Sequence, residues 1–347
     1  MELAFGLQQE RNEISNVFYG NPKSIDTRGG GIDGFGAAFP IPTYRGSLVL
    51  AVGVFREFSG VFDLHYSGTN KSTETVDNYL VQQSGSTYSY NIGLGVDLSP
   101  RLSGGASLII VDGTINTLSQ YDFEYIHLTP QTSVFVKENL ETDVDGVGGR
   151  IGVQFFFHRL IQGGITFTTP IWMNVKGSGV TEITEYRDND LDSFEKIPTD
   201  IDDSFLLPFR FNFGLSFHPG SFLFAAEVGY ADWTEASINR KRFRGGSQLE
   251  TTFREVFDYK FGAEYTMPWF PVRVRAGYAC RPFPLEYLQA DRIDQNALTK
   301  AETVRNPTDL AFGLGGLIGD MLTVDAVYTF TESERKIDNL TDKRTSR

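Results

Sequence analysis

Apolar residues recur at every second position along most of this chain. The clearest stretch is 205–217, where Phe209, Phe211, Phe213, Leu215 and Phe217 share one face while Arg210, Asn212, Gly214 and Ser216 share the other. Successive strand side chains point to opposite sides, so the pattern predicts a strand with one oily and one polar face. After a turn at His218–Gly220, Phe222, Phe224, Ala226, Val228 and Tyr230 oppose Glu227 and Gly229. Next, Phe257, Tyr259, Phe261, Ala263 and Tyr265 oppose Lys260 and Glu264, and Val272, Val274, Ala276 and Tyr278 oppose Arg273, Arg275 and Gly277. Further runs at 2–9, 32–40, 46–57, 86–98, 101–113, 146–157, 160–175, 307–318 and 321–333 bring the expected strands to thirteen.

The connections fall into two kinds. Tight turns are expected at Pro40–Arg45, Ser99–Arg101, His158–Arg159, His218–Gly220, Met267–Pro271 and Gly319–Met321. Long polar segments lie between these hairpins, at 10–31, 58–85, 114–145, 176–202, 237–251 and 281–306. Short turns at one end and long loops at the other are the pattern of an antiparallel transmembrane β-barrel. Thirteen strands are odd, whereas bacterial single-chain barrels close with an even number, and open edges are costly in lipid. Residues 332–347 read as an outer loop with no return strand. The expectation is therefore one barrel domain over 1–347, all-β, with thirteen of fourteen strands visible and both ends cut short. The absent strand is expected to pair with 2–9. A soluble sandwich or propeller is the competing architecture, but its loops should match in length at both ends, and no blade repeat is present.

Composition narrows the class. Hydrophobic residues are 40% of 347 and mean hydropathy is -0.21, and no run reaches the roughly 20 apolar residues of a membrane helix. The 29 Phe, 15 Tyr and 36 Gly suit an aromatic-rimmed wall with a close-packed interior. A net charge of -13 without a basic stripe excludes a nucleic-acid binder. Cys280 stands alone, and His65, His127, His158 and His218 lack the spacing of a metal cluster. There is no G-x-S-x-G elbow, and Gly29–Gly31 lacks the Lys-Ser/Thr ending of a P-loop. The expectation is a non-enzymatic chain without cofactor or metal. Met1 is followed at once by Glu2 and a strand pattern, so an export signal is expected to precede it.

Inward positions include Asp97, Arg150, Arg210, Glu227, Lys260, Glu264, Arg273, Arg275 and Asp325. Opposite charges there form a ladder of ion pairs, since isolated ions are costly in a desolvated lumen. Alternatively, one or more of Arg150, Arg210, Lys260, Arg273 and Arg275 binds a ligand carboxylate, Arg bidentately and Lys as a compact charge. In the outer segments Phe62, Tyr66, Tyr121, Phe123 and Tyr125 are candidates for an apolar capture surface, or else simply extend the neighbouring strands.

Two segments carry a family resemblance. The stretch from Gly36 to Val54, GAAFPIPTYRGSLVLAVGV, resembles the second hairpin of the FadL/TodX outer-membrane transport family, and Phe224–Trp233, FAAEVGYADW, is similar to a mid-barrel segment of it. The resemblance implies a bacterial outer-membrane barrel of fourteen strands moving long-chain fatty acids or other hydrophobic compounds inward. It also implies an N-terminal hatch with an Asn-Pro-Ala segment, which does not occur here. A ligand is expected to leave sideways beside a kink in the third strand, for which Gly53 is the candidate; the other reading is that Gly53 accommodates a bulky neighbour. Partners implied are the hydrophobic ligand, outer-membrane lipid and lipopolysaccharide, with a monomer favoured. A porin for small polar solutes and a structural or adhesion barrel are the remaining function classes.

Overall fold

The computed structural model describes all residues except 1, 16–22, 45, 60–61, 71–74, 127–130, 237, 241–250, 290–297, 319–321, 338–339 and 347. The first part of the wall comprises β1 (Glu2–Ser15), β2 (Lys23–Ile41), β3 (Leu48–Ser59), β4 (Phe62–Asn70), β5 (Thr75–Ser99), β6 (Leu102–Tyr125) and β7 (Thr132–His158). It continues with β8 (Ile161–Thr168), β9 (Ile171–Arg187), β10 (Asp190–Leu207), β11 (Arg210–Phe217), β12 (Phe222–Asp232) and β13 (Ile238–Arg240). The remainder is β14 (Thr251–Phe253), β15 (Glu255–Thr266), β16 (Val272–Cys280), β17 (Leu285–Gln289), β18 (Leu298–Ile318), β19 (Leu322–Ile337) and β20 (Leu340–Ser346). Among the described residues the pairing is antiparallel throughout, running β1–β2–β3–β5–β6–β7–β8–β11–β12–β15–β16–β18–β19–β20 and back to β1.

That circuit has fourteen places, and the last is filled where a vacancy was expected. Strand β19 runs on to Ile337, and β20 pairs with Thr331–Ile337 on one side and Glu10–Ser15 on the other. It closes the outer half of the seam. After Leu340 the six residues to Ser346 are all polar, so no apolar alternation marks this strand. Its register sets Glu334 opposite Lys343 and Arg335 opposite Asp342.

The outer connections are largely strand too. Strands β5, β6 and β7 have 25, 24 and 27 residues, whereas crossing a bilayer takes about 9–11. The wall therefore projects well beyond an apolar band. In the β9–β10 hairpin the turn is Asp188–Asn189, with φ of 50° and 66°. Two residues with positive φ match the twist of the flanking strands, and Asp and Asn tolerate that region best after glycine.

Facing follows the alternation on the inner half. Phe211, Phe213, Leu215 and Phe217 are 45%, 46%, 43% and 41% exposed on the outside, while Asn212, Gly214 and Ser216 turn inward. Cysteines placed at Gly214 and Ser216 in membrane-embedded protein should react with a water-soluble maleimide, and cysteines at Phe213 and Leu215 should not. Reaction at the second pair alone would reverse the register.

At mid-wall the facing inverts. Pairing of Thr168 with Arg210 and Ile171 with Leu207 puts Pro170 directly opposite Pro208. Neither ring nitrogen carries a donor, so the ladder stops in both strands at one level. On the β7 side Arg150 pairs with Thr168 and Val147 with Trp172, leaving Gly148 and Gly149 opposite Thr169, Pro170 and Ile171. That extra residue is a bulge. Thr169 ties the joint: the Gly149 N–H donates to its Oγ1 at 2.9 Å, and its hydroxyl donates to the Pro170 carbonyl at 3.0 Å. As a result Thr168 and Ile171, three residues apart, both face inward, as do Arg210 and Leu207.

Candidate lumenal binding site

The inversion builds an apolar patch on the inner face of the outer half. Ile109, Val111, Val144 and Met173 are 3–7% exposed there, and Ile115, Ile171, Val175, Phe205 and Leu207 pack against them. The register shows how they meet: Val144 lies opposite Val175, Met173 opposite Phe205, and Ile171 opposite Leu207. Strict alternation through 160–175 and 205–217 would have placed Ile171, Phe205 and Leu207 outside. The readable signal was the unbroken apolar run Phe205-Leu206-Leu207 before Pro208, which does not fit period two.

Inward of this patch the lining mixes polar and charged side chains with a larger apolar and glycine surface. A cavity of about 1020 Å³ is bordered by Ser47, Asp97, Ser103, Arg150, Gln154, Gln162, Ser216, Glu227 and Lys260. Asp97 accepts hydrogen bonds from Ser47 Oγ and Ser103 Oγ, which tie β3, β5 and β6 together at the inner rim.

The structure divides the five candidate cations. Lys260 Nζ lies 2.8 Å from Glu227 Oε1, its register partner, and 3.7 Å from Asp258 Oδ2. Arg275 donates through Nε to Glu264 at 2.6 Å and through a terminal nitrogen to Asp325 at 2.6 Å. Asp325 reaches Arg275 from β19 across β18, and does so over Gly315, where a Cβ would collide with its carboxylate. These two cations are neutralised wall elements, although partial exposure keeps each pair a modest stabiliser.

Arg150 and Arg210 differ. Arg150 Nε donates to Thr168 Oγ1 at 3.1 Å, and Arg210 lies opposite Thr168 on the next strand. The two arginines thus flank Thr168 on one inward row, with Cα atoms roughly 10 Å apart at ordinary strand spacing. Among the described residues neither has a carboxylate within ion-pair distance, and the same holds for Arg273 on β16. The next inward residues on the outer side of Arg150 and Arg210 are Ile171 and Leu207. A pair of uncompensated guanidiniums therefore borders an apolar patch, an arrangement suited to a molecule with an anionic head and an oily tail.

Gly53 lies in a continuous ladder, opposite Gly36 on β2 and Asn91 on β5, without a register shift. The irregularity of β3 falls three residues on, between Arg56 and Phe58. Both edges of Gly53 are paired, and its missing side chain makes room for the Phe55 ring. Of the outer aromatics, Tyr121, Phe123 and Tyr125 belong to β6, on the same face as Ile109 and Val111, so they continue a strand rather than form a loop. Tyr79 meets Tyr121 and Phe123 edge-on at 5.2 and 5.7 Å. The backbone of Tyr66 pairs with Tyr79, while the side chains of Phe62 and Tyr66 lie outside the described residues, as does His127.

No family model matches this chain, and no curated protein matches it by sequence. Solved structures do. A Pseudomonas aeruginosa FadL homologue superposes with a TM-score of 0.59 at 13% identity, over 99% of this chain and 88% of that one. The Ralstonia pickettii toluene transporter TbuX gives 0.58 at 14%, over 99% and 86%, and the P. putida toluene transporter TodX gives 0.58 at 12%, over 99% and 87%. The chain has the fold of this class of outer-membrane transport barrels. These solved structures are described as transporters or a transporter homologue, not as enzymes.

Proposed function

We propose that this chain is an outer-membrane barrel that passes hydrophobic compounds, and that its ligand is an amphipathic acid such as a long-chain fatty acid. The observation that carries the reading is the junction of the Arg150–Arg210 pair with the apolar patch at Ile171 and Leu207. An acyl tail gains about 0.8 kcal/mol for each buried CH₂, and the guanidiniums hold the carboxylate. Several moderate contacts suit transport, because the ligand has to leave again. The inward aromatic row at Tyr79, Tyr121 and Phe123 is the proposed first contact from outside. The outward band of Phe and Leu residues faces membrane lipid, with lipopolysaccharide around the projecting strands, and the barrel works as a monomer.

The charged and polar side chains at the inner cavity, among them Asp97, Arg150, Glu227 and Lys260, favour a second reading, a porin for small polar solutes. Uptake into proteoliposomes separates them. Saturable oleate uptake, with sucrose excluded in a swelling assay, is the expected result. Free sucrose passage without saturable oleate uptake selects the porin.

A further inference from the structure

Phe55 presents a large ring where its inward neighbours are small and polar. It lies opposite Gly34 on β2 and Ser89 on β5, and Gly53 precedes it on the same face. The ring is 48% exposed, toward the lumen, and its other side covers both glycines. A Cβ at Gly53 would lie 2.6 Å from Phe55 Cε2, and one at Gly34 2.6 Å from Cδ1, closer than real atoms approach. The two glycines thus form a shallow slot that fits the ring only while neither bears a side chain. Inward of Gly53 on the same face, Ala51 borders the inner cavity, so the ring stands at the cavity's outer mouth. The staggered χ1 alternatives of a strand aromatic are few, and leaving the slot carries the ring away from the wall into the passage.

Covering glycines with an aromatic also stabilises sheets. A purely structural Phe55 and a moving one make different predictions, because only the second links ring position to flow.

We propose that Phe55 is a retractable gate at the mouth of the inner cavity, open while its ring rests in the Gly34–Gly53 slot. Its relevance to ligand passage rests on the transport reading above; its effect on ion flow does not. Neither glycine has a positive φ, so alanine suits the backbone at both, and its methyl group evicts the ring. Planar-bilayer conductance and oleate uptake are measured for Gly53→Ala, Phe55→Ala and the double variant of the full chain, with folding checked by circular dichroism. Gly53→Ala should lower both quantities several-fold, Phe55→Ala should not lower either, and the double variant should recover. Gly34→Ala approaches the ring from the opposite strand and should repeat the loss and the rescue, which keeps the test intact if Gly53→Ala does not fold. Unchanged conductance in the glycine variants, or a double variant as poor as Gly53→Ala, overturns the gate. Conductance that responds as expected without any saturable oleate uptake retains the gate and removes the transport reading instead.

Discussion

Phe213→Arg should destabilise the folded barrel in lipid by about 2–4 kcal/mol, the cost of an arginine on the lipid face near the bilayer midplane. Phe213 stands midway along the outward row from Phe217 to Phe209, with its ring 46% exposed. The cost should fall to about 0–1 kcal/mol for Phe217→Arg, at the edge of the band, where the side chain extends to the interface. Ser216→Arg points into the inner cavity, which Asp97 and Glu227 also line, and should cost less than Phe213→Arg despite its proximity in sequence. Equilibrium unfolding in defined lipid vesicles gives all three values. Equal losses at Phe213 and Ser216 would mean that the wall does not separate lipid from lumen as its alternation indicates.

The same alternation explains what the sequence made legible. Strands β11, β12, β15 and β16 could be read because each has an oily outside and a polar inside. In the outer halves of β6 and β7 the apolar side, with Ile115, Tyr121, Phe123 and Val144, faces the lumen, while the outward side meets water and carries polar residues, so the alternation there no longer marks an oily outer wall. Asp112, Asn116, Glu141 and Ser178 sit on such outward positions. The Pro170–Pro208 joint was missed for a different reason. Each proline is visible alone, but their effect depends on lying opposite each other, which only strand register reveals.

Candidate cations were partly separable in advance. The tight turn at Met267–Pro271 fixes the register of the β15–β16 hairpin, which puts Glu264 opposite Arg275. That pairing marks Arg275 as compensated from the sequence alone. Glu227 and Lys260 belong to strands joined through a long connection, whose register the sequence does not set. Arg150 and Arg210 could not be distinguished as uncompensated either, because being unpaired depends on every neighbouring strand.

Replacing both Arg150 and Arg210 by Gln should weaken binding of a long-chain carboxylate by about a hundredfold, since a hydrogen bond to a charged group contributes about 1.5–3 kcal/mol. Each single variant should lose less, because the remaining guanidinium still reaches the head group from the other side of Thr168. The methyl ester of the same acid presents no anionic head, so its affinity should be weak in the parent and nearly unchanged in the double variant. Lys260→Gln is the matched control: Glu227 and Asp258 already neutralise that ammonium, and its removal should leave acid binding within a few-fold of the parent. Fluorescent fatty-acid displacement on detergent-purified barrel measures all of these affinities. Equal loss for acid and ester would assign the arginines to holding the wall together. Full retention of acid binding in the double variant would move the head-group site elsewhere, with Arg273 the remaining described candidate among the five cations.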